Sequence, residues 1–138
     1  MKVKIKRIEN GRIPEFKHED DACCDCYARE DITILSGDRK LIPLGFALEL
    51  PKGYEALIRP RSGNSRNEID VCLGTVDAGY RGEVMACVVN NTNENIMIEE
   101  GDRICQMAIR EVPSVDFELC SELSDTERGD KGFGSTGV

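Results

Sequence analysis

Short apolar runs separated by turn residues follow one another along most of the chain. Near the start, the lysines at positions 2, 4 and 6 alternate with Val3 and Ile5, as in a strand with one buried face. Further runs predict strands at 31–35, 40–43, 44–50, 54–59, 68–71, 84–89 and 103–109. Turn residues punctuate these runs at intervals of roughly eight to twelve residues, which is typical of a β-sandwich or barrel. We find no periodic helix of useful length and no internal repeat, so the sequence predicts an all-β fold.

Two stretches break the strand pattern. Residues 60–67 can hold only a short helical turn, whose free N–H groups, with Arg61 and Ser62, would suit a phosphate. A solvated loop is the alternative. Residues 128–137 contain four glycines around Phe133 and cannot build a core. This end is either a disordered tail or a segment that becomes ordered over a nucleotide, with phosphate-binding side chains at Arg128, Lys131, Ser135 and Thr136.

A third stretch, residues 74–83, combines chemistry with a turn. It places Asp77, Tyr80 and Arg81 among three glycines, just before the strand predicted at 84–89. Glycine lets a ligand approach the backbone closely, and an aspartate at a strand end can poise a water for attack. The alternative is a β-hairpin in which Asp77 only caps the turn.

Composition and charge limit the classes of function. The 138 residues suffice for one domain, and the 5% aromatic content without tryptophan indicates a thin core that association into an oligomer would support. The net charge is −8, from 18 basic and 26 acidic residues, and no basic block is present, which argues against a nucleic-acid polymer as partner. No apolar run approaches the roughly 18 residues of a membrane span, and the N-terminus does not resemble a signal peptide. We therefore expect a cytosolic protein.

Seven cysteines and one histidine narrow the chemistry further. Cys23, Cys24 and Cys26 form a cluster, but no paired CxxC units complete a zinc site, and His18 alone makes a Ser-His or Cys-His nucleophile improbable. The odd count favours reduced thiols. The cysteines that we expect in the core are Cys72, Cys87 and Cys105. A carboxylate is the expected general base.

Five stretches, taken in order, resemble the five motifs of the trimeric deoxyuridine triphosphatases, or dUTP diphosphatases. They are residues 21–28, 60–63, 74–83, 101–107 and 128–137. The resemblance implies a jelly-roll β fold, a homotrimer with active sites shared by three subunits, Mg²⁺ as cofactor, and conversion of dUTP and water to dUMP and pyrophosphate. It also implies a catalytic domain at 1–120 and a tail at 121–138 that closes over the active site of a neighbouring subunit.

The resemblance assigns roles position by position. Asp77 matches the carboxylate that activates the attacking water, and Tyr80 matches the aromatic ring that lies against the deoxyribose and excludes a 2′-hydroxyl. In similar proteins magnesium is held mainly by triphosphate oxygens and waters, so Asp25 would act through a water. The phosphate-binding positions are Arg61, Ser62, Gly63 and Gln106. The base and sugar pocket falls on Gly74, Thr75, Val76 and Met85. The tail supplies Phe133 against uracil, with Gly134 next to it, and a γ-phosphate clamp of Arg128, Ser135 and Thr136.

The chain also departs from the family pattern. Cys23 and Cys24 replace the glycine and aromatic residue usual before Asp25, and Gly79 stands where many members carry a second aspartate. The pair at 64–65, Asn-Ser, replaces a more apolar pair. These changes affect the finer substrate contacts while the matched base remains.

Two other functions are compatible with parts of the pattern. The related dCTP deaminases share the fold and a segment similar to residues 76–80, but they need a glutamate where this chain has Cys87. A non-catalytic trimer that binds a nucleotide as a regulator is the other alternative. The intact Asp77 and the intact tail both disfavour it.

Overall fold

The computed structural model describes residues 1–135 and 137, which form eleven strands and one short helix. In chain order these are β1 (Lys4–Arg7), β2 (Cys24–Tyr27), β3 (Ile32–Ile34), β4 (Arg39–Pro43), β5 (Phe46–Glu49), β6 (Tyr54–Arg59), α1 (Ser62–Arg66), β7 (Ile69–Val71), β8 (Gly74–Val76), β9 (Met85–Asn90), β10 (Ile96–Ile98) and β11 (Arg103–Glu111). The all-β prediction is confirmed, and the predicted helical turn is α1. Within the described part of the chain, no helix has the length and apolar character needed to cross a membrane.

The described strands pair antiparallel in four groups. One sheet has the order β2-β11-β6-β8, a second has the order β4-β9-β7, and two smaller pairs are β1-β5 and β10-β3. Three strands were not predicted. The polar Asp25 and flanking cysteines conceal the apolar pattern of β2, β8 begins with a glycine, and β10 has only three residues.

Aliphatic side chains fill the core between the sheets. Among the largest fully buried side chains are Phe46, Ile34, Ile42, Leu44 and Ile104. Burial of such a side chain typically contributes about 1.5–3 kcal/mol, so the packing of many aliphatic groups compensates for the scarcity of aromatic rings.

The cysteine predictions for the core are only partly correct. Cys105 is fully buried, but Cys72 is exposed and Cys87 is half-buried. The reason is strand alternation, because Val71 and Val88 occupy the inward positions next to them. The outward face of the β7 and β9 pair therefore carries two thiols.

The C-terminal segment covers no core of its own chain. Regular structure ends at Glu111, and the described residues beyond it contain neither helix nor strand. Phe117 and Leu119 are 98% and 100% exposed, and Leu123 is 88% exposed. Large apolar side chains with this exposure need a surface from another molecule to become buried.

Candidate active site

The first group of predicted site residues surrounds Asp25 in a cleft of about 370 Å³. Asp25 is 9% exposed and pairs with two arginines: Arg61 Nε lies 3.2 Å from Oδ1, and Arg103 Nη1 lies 3.4 Å from Oδ2. Gln106 lines the same cleft. We define the Asp25 cleft by its polar lining residues, which are Lys17, His18, Asp21, Asp25, Arg61, Arg103 and Gln106.

Strand pairing brings the central side chains of the Asp25 cleft to one face of a sheet. Gln106 of β11 stands directly opposite Asp25 of β2, and opposed residues of antiparallel strands project to the same side. The register of β2 and β11 shifts between Arg103 and Cys105. An irregularity of this kind redirects side chains, and here it accompanies the contact between Arg103 and Asp25.

The helix α1 fixes Arg61 at the rim of the cleft. Arg61 precedes the helix in an extended conformation, and its carbonyl accepts the N–H of Asn64 at 3.1 Å. The Asn64 amide donates in turn to the carbonyls of Arg103 and Ile104, at 3.4 and 3.3 Å. The polar residue at position 64, a departure from the family pattern, thus ties α1 to β11.

The Asp25 cleft is rich in cationic groups although the chain as a whole is acidic. Three cationic side chains and two carboxylates line it. Arg61 also donates through Nη1 to the Arg103 carbonyl at 3.2 Å. Guanidinium groups held in this way recognise phosphate oxygens. The sequence analysis assigned Arg61 but missed Arg103 and Lys17; Arg103 could have been found within the motif at 101–107, whereas Lys17 lies outside every motif.

A neighbouring cleft of about 430 Å³ shares Lys17, Asp25 and Arg103 with the first. In it, the guanidinium carbon of Arg12 lies 3.7 Å from the centroid of the Tyr27 ring. Burial, and then the nearby Glu15 carboxylate, raises the pKa of Tyr27, so its phenol stays neutral. Three cationic side chains and three carboxylates line this second cleft, so of the two clefts only the Asp25 cleft has an excess of cationic side chains.

The second group of predicted site residues forms a turn between β8 and β9. The pairing of β8 with β6 holds Val76 opposite Ala56, which places Asp77 at the strand end. The N–H of Tyr80 donates to the Asp77 carbonyl at 3.0 Å and closes the turn. Asp77 is exposed, and its carboxylate makes no hydrogen bond or ion pair with any side chain or N–H in residues 1–135 or 137. We call residues 77–83 the Asp77 turn.

Contacts within the Asp77 turn hold the Tyr80 ring in one place. The phenol donates to the Glu83 carbonyl at 3.0 Å. The ring lies directly against Gly82, because a Cβ at that position would overlap the phenol oxygen and ring carbons. A residue other than glycine at position 82 would therefore displace the ring. The pocket next to it has a volume of about 210 Å³ and is lined by Thr75, Val76, Asp77, Tyr80, Glu83, Val84 and Met85.

An ion pair anchors the end of the Asp77 turn to the domain. The Glu83 carboxylate accepts from Arg29 Nε at 2.8 Å and from the N–H of Gly45 at 2.9 Å. The hydrogen bond to Glu83 raises the pKa of Arg29 above its usual value. Both side chains are largely shielded, with 15% and 20% of their areas exposed. The sequence analysis missed this pair because Arg29 and Glu83 are far apart in the chain.

The structure distributes the predicted residues over two separate places and a tail. Asp25, Arg61 and Gln106 line the Asp25 cleft, with Ser62 and Gly63 exposed at the start of α1. Thr75, Val76, Asp77, Tyr80 and Met85 line the pocket at the Asp77 turn, and Gly74 pairs with Ile58 beneath it. No residue lines both.

Of the predicted tail residues that the structure describes, none lines the Asp25 cleft or the pocket at the Asp77 turn. Arg128 donates to the Lys131 carbonyl at 2.9 Å, and Phe133 is fully exposed. Gly134 and Ser135 are likewise exposed. Thr136 lies outside the described residues. In a single chain, the parts expected to act together are therefore apart.

Mg²⁺ prefers oxygen ligands and usually keeps several waters. Within residues 1–135 and 137, no group of three or more His, Cys, Asp or Glu side chains is arranged to hold a metal ion. Each oxygen of Asp25 already pairs with an arginine. The arrangement suits an ion whose ligands are mainly phosphate oxygens and waters, with Asp25 accepting from a bound water.

Comparisons with known proteins identify the family of the chain. The family model described as dUTPase matches residues 9–137. The chain is 44% identical over 142 residues to the deoxyuridine 5′-triphosphate nucleotidohydrolase of Gloeothece citriformis, a match that covers 100% of this chain and 98% of the relative. A protein of the same description from Rickettsia felis is 46% identical over 143 residues, with 99% and 97% covered.

A solved structure is similar over the same length. The dUTPase of Staphylococcus bacteriophage 80alpha with dUPNHPP has a TM-score of 0.93 and 28% identity, covering 99% of both chains. The family model and the two relatives each extend over nearly all of this sequence. This chain belongs to the dUTPase family.

Proposed function

We propose that the protein hydrolyses dUTP to dUMP and pyrophosphate, with the site assembled from the Asp25 cleft, the Asp77 turn and the tail of different subunits in a homotrimer. The observation that carries the proposal is the state of Asp77. Its carboxylate is exposed and unpaired within the described residues, next to a ring whose hydroxyl is hydrogen-bonded to the Glu83 carbonyl. If Asp77 only capped the turn, its carboxylate oxygens would accept hydrogen bonds from nearby backbone N–H groups.

Asp77 is suited to serve as a general base toward water. A carboxylate with no competing donor can accept a proton from a water as that water attacks phosphorus. Attack at the α-phosphorus breaks the α–β anhydride and leaves the new oxygen on dUMP. The turn hydrogen bond from Tyr80 to the Asp77 carbonyl holds the backbone while the side chain remains free.

The Asp25 cleft supplies the charge that a triphosphate requires. Arg61 and Arg103 are fixed through Asp25, and Lys17 adds a third cation to the lining. The N–H groups of Ser62 and Gly63 are open at the start of α1. A bound Mg²⁺ would neutralise phosphate oxygens and stabilise the charge that develops in the transition state. Asp25 would help to hold such an ion by accepting from one of its waters, and Arg61 and Arg103 offset the charge of the carboxylate toward the polyanion.

Tyr80 and the β7–β8 segment account for substrate choice. The Tyr80 ring is 46% exposed and offers a flat surface for a deoxyribose. As the family resemblance implies, a sugar lying against this ring would have no space for a 2′-hydroxyl. Gly74, Thr75 and Val76 present backbone groups on the strand leading into the turn, where hydrogen bonds can distinguish uracil from cytosine. Phe133 and Gly134 of the tail would cover the base, and Arg128, Ser135 and Thr136 would hold the γ-phosphate.

The division of the site within one chain supports sharing between subunits. The Asp25 cleft holds phosphate-binding groups without a base, and the Asp77 turn holds a base without cations in its pocket lining. The tail carries exposed apolar residues that its own chain does not cover. A closed ring of three copies brings one of each part to every site.

A substrate assay tests the activity. The protein is incubated with Mg²⁺ and each deoxynucleoside triphosphate in turn, and pyrophosphate and ammonia are measured. We expect pyrophosphate from dUTP alone. Ammonia from dCTP would establish a deaminase, and binding of dUTP without either product would establish a non-catalytic nucleotide binder.

Subunit reassortment tests the shared site. One variant carries Asp77→Asn with its tail intact, and the second keeps Asp77 but ends at Glu127, so each alone should be nearly inactive. After the two are mixed, unfolded and refolded, about a quarter of the sites at equal mixing should regain both base and tail. Each variant refolded alone is the control. No recovery at any ratio would mean that the tail closes over the Asp77 of its own chain.

A further inference from the structure

Two cysteines outside the proposed catalytic machinery face each other across neighbouring strands. The pairing of β7 with β9 sets Val71 opposite Val88, and the next pair along this register is Cys72 and Cys87. The N–H of Cys72 donates to the Cys87 carbonyl at 2.9 Å, so the pairing continues through this position. Directly opposed residues send their side chains to the same face of the sheet. The two thiols are therefore neighbours.

The backbone geometry suits a covalent bond between them. Opposed residues that share a backbone hydrogen bond have Cα atoms about 5.5 Å apart, within the usual disulfide range of about 4.4–6.8 Å. The two side chains stand on the same side of the pair, as the bond requires. Formation of the disulfide thus requires rotation of the two side chains and no rearrangement of the strands.

We propose that Cys72 and Cys87 form a dithiol modification site that a peroxide closes to an intrachain disulfide. Cys72 is exposed and takes the first step: its sulfur attacks hydrogen peroxide, the O–O bond breaks, and sulfenic acid and one water form. The Cys87 sulfur then attacks the Cys72 sulfur, and the S–S bond forms as a second water leaves. The thiol pair loses two electrons and two protons, and the peroxide is reduced to two waters.

The environments of the two thiols match these roles. Burial, and then the proximity of the Cys72 thiol, raises the pKa of Cys87, which keeps this half-buried thiol protonated and slow to react with peroxide on its own. Cys72 has the greater access to solvent. The first oxidation therefore falls on Cys72, and Cys87 resolves it.

A second opposed cysteine pair in the same chain shows why position matters. Cys26 and Cys105 face each other across β2 and β11, but both are fully buried. Contacts with the Cys105 and Cys24 thiols, together with burial, raise the pKa of Cys26 well above its usual value. The two thiols face each other, but they are shielded from solvent and Cys26 stays protonated, so the pair does not react with peroxide in the folded protein.

The bond would act on the segment that leads into the proposed substrate pocket. Cys72 directly follows β7, and the chain then crosses through Leu73 to β8, where Gly74 begins the strand that reaches the Asp77 turn. A disulfide from Cys72 to β9 would tether this crossover at one end. The site itself rests on strand pairing and exposure and is independent of the proposed hydrolysis.

Peptide mapping of the full chain tests the proposal. The folded protein is treated with limiting hydrogen peroxide, the remaining thiols are alkylated, and the digest is analysed by mass spectrometry with and without reduction. We expect a linked peptide pair containing Cys72 and Cys87, with Cys26 and Cys105 protected until the protein is unfolded. Oxidation of the exposed Cys120 while Cys72 and Cys87 both stay alkylatable would overturn the proposal, and so would links only between chains.

Matched variants separate pairing from general reactivity. Cys72→Ser removes the attacking thiol at an exposed position and should abolish the linked peptide while Cys87 remains alkylatable. Cys120→Ser removes an exposed thiol of the tail and should leave the 72–87 link unchanged. A linked peptide that persists through Cys87 and another cysteine in Cys72→Ser would show that Cys72 is not its specific partner. The mapping of the unsubstituted chain decides the question even if a variant folds poorly.

Discussion

Replacement of Gly82 by alanine should weaken the discrimination between dUTP and UTP. A Cβ on Gly82 would lie 2.9 Å from Tyr80 Cε2 and closer still to the phenol carbon and oxygen, whereas ordinary contact begins at 3.4 Å. The ring must therefore retreat by at least about 0.5 Å, and more at the phenol end. A displaced ring opens space at the position that we assign to the 2′-carbon of the sugar.

The expected changes in stability and in selectivity follow from the hydrogen bond of the Tyr80 ring and from its role as a steric wall. The move breaks the hydrogen bond from the Tyr80 phenol to the Glu83 carbonyl, which costs about 0.5–1.5 kcal/mol of stability. Loss of a steric wall the size of a methylene or hydroxyl changes discrimination by about 1–3 kcal/mol, or roughly 10–200-fold. The assay compares kcat/KM for dUTP and UTP in the variant and the unsubstituted protein, and thermal denaturation is measured alongside.

Two variants serve as controls. Gly79→Ala adds the same methyl group in the same turn where no atom lies within 4 Å, so it should leave selectivity unchanged. Tyr80→Phe keeps the ring and removes only its hydroxyl group. The variant should lose about 1 kcal/mol of folding stability, with little change in the selectivity for dUTP over UTP. A lower melting temperature in Gly82→Ala, together with an unchanged ratio for the two substrates, would refute the role of the ring as a wall.

Three further substitutions test separate parts of the site. Asp77→Asn preserves the size of the side chain but removes the base, so hydrolysis should fall by about 10²-fold or more. Calorimetry should still detect binding of dUTP, and near-normal turnover would mean that another group is the base. Glu83→Gln keeps an acceptor for the Gly45 N–H but loses the charge that pairs with Arg29. Urea denaturation should show that the free energy of unfolding falls by about 1–3 kcal/mol. An unchanged free energy would mean that solvent screens the ion pair. Asn64→Ala frees α1 from β11 and should raise KM for dUTP with kcat nearly constant; a fall in kcat alone would contradict a binding role.

Local patterns in the sequence were enough for the β class and the short helix. Alternation predicted a strand around Ile5, but Val3 lies outside β1 and all four residues of β1 are exposed, so the expected buried face was wrong. Turn residues marked most strand ends, because this signal depends on near neighbours. Alternation would also have placed Cys72 and Cys87 outward once Val71 and Val88 were known to be buried. The sequence alone did not reveal which face of a half-apolar strand meets the core, since that is decided by the partner sheet.

The resemblance supplied the family and its candidate residues, and the structure supplied contacts that no motif contains. Arg103 reaches Asp25 across a register shift, and Arg29 reaches Glu83 from the loop between β2 and β3, far away in sequence. Such pairs depend on long-range strand order, and no spacing rule encodes them. The assignment of the tail residues stays a prediction, because those that the structure describes line neither part of the site.

The exposure of the Asp77 turn in a single chain links subunit association to catalysis. The Asp77 carboxylate is exposed in the single chain, so bulk water competes with the attacking water for its hydrogen bonds. Covering it with a second chain and a tail would remove competing water and bring cations within range, which strengthens each electrostatic contact. The same association would bury Phe117 and Leu119, which a lone chain exposes almost completely. The free energy that stabilises the assembly and the exclusion of water that makes the base effective would then arise from the same contacts, so a substitution such as Phe117→Ser should weaken association and turnover together without altering Asp77.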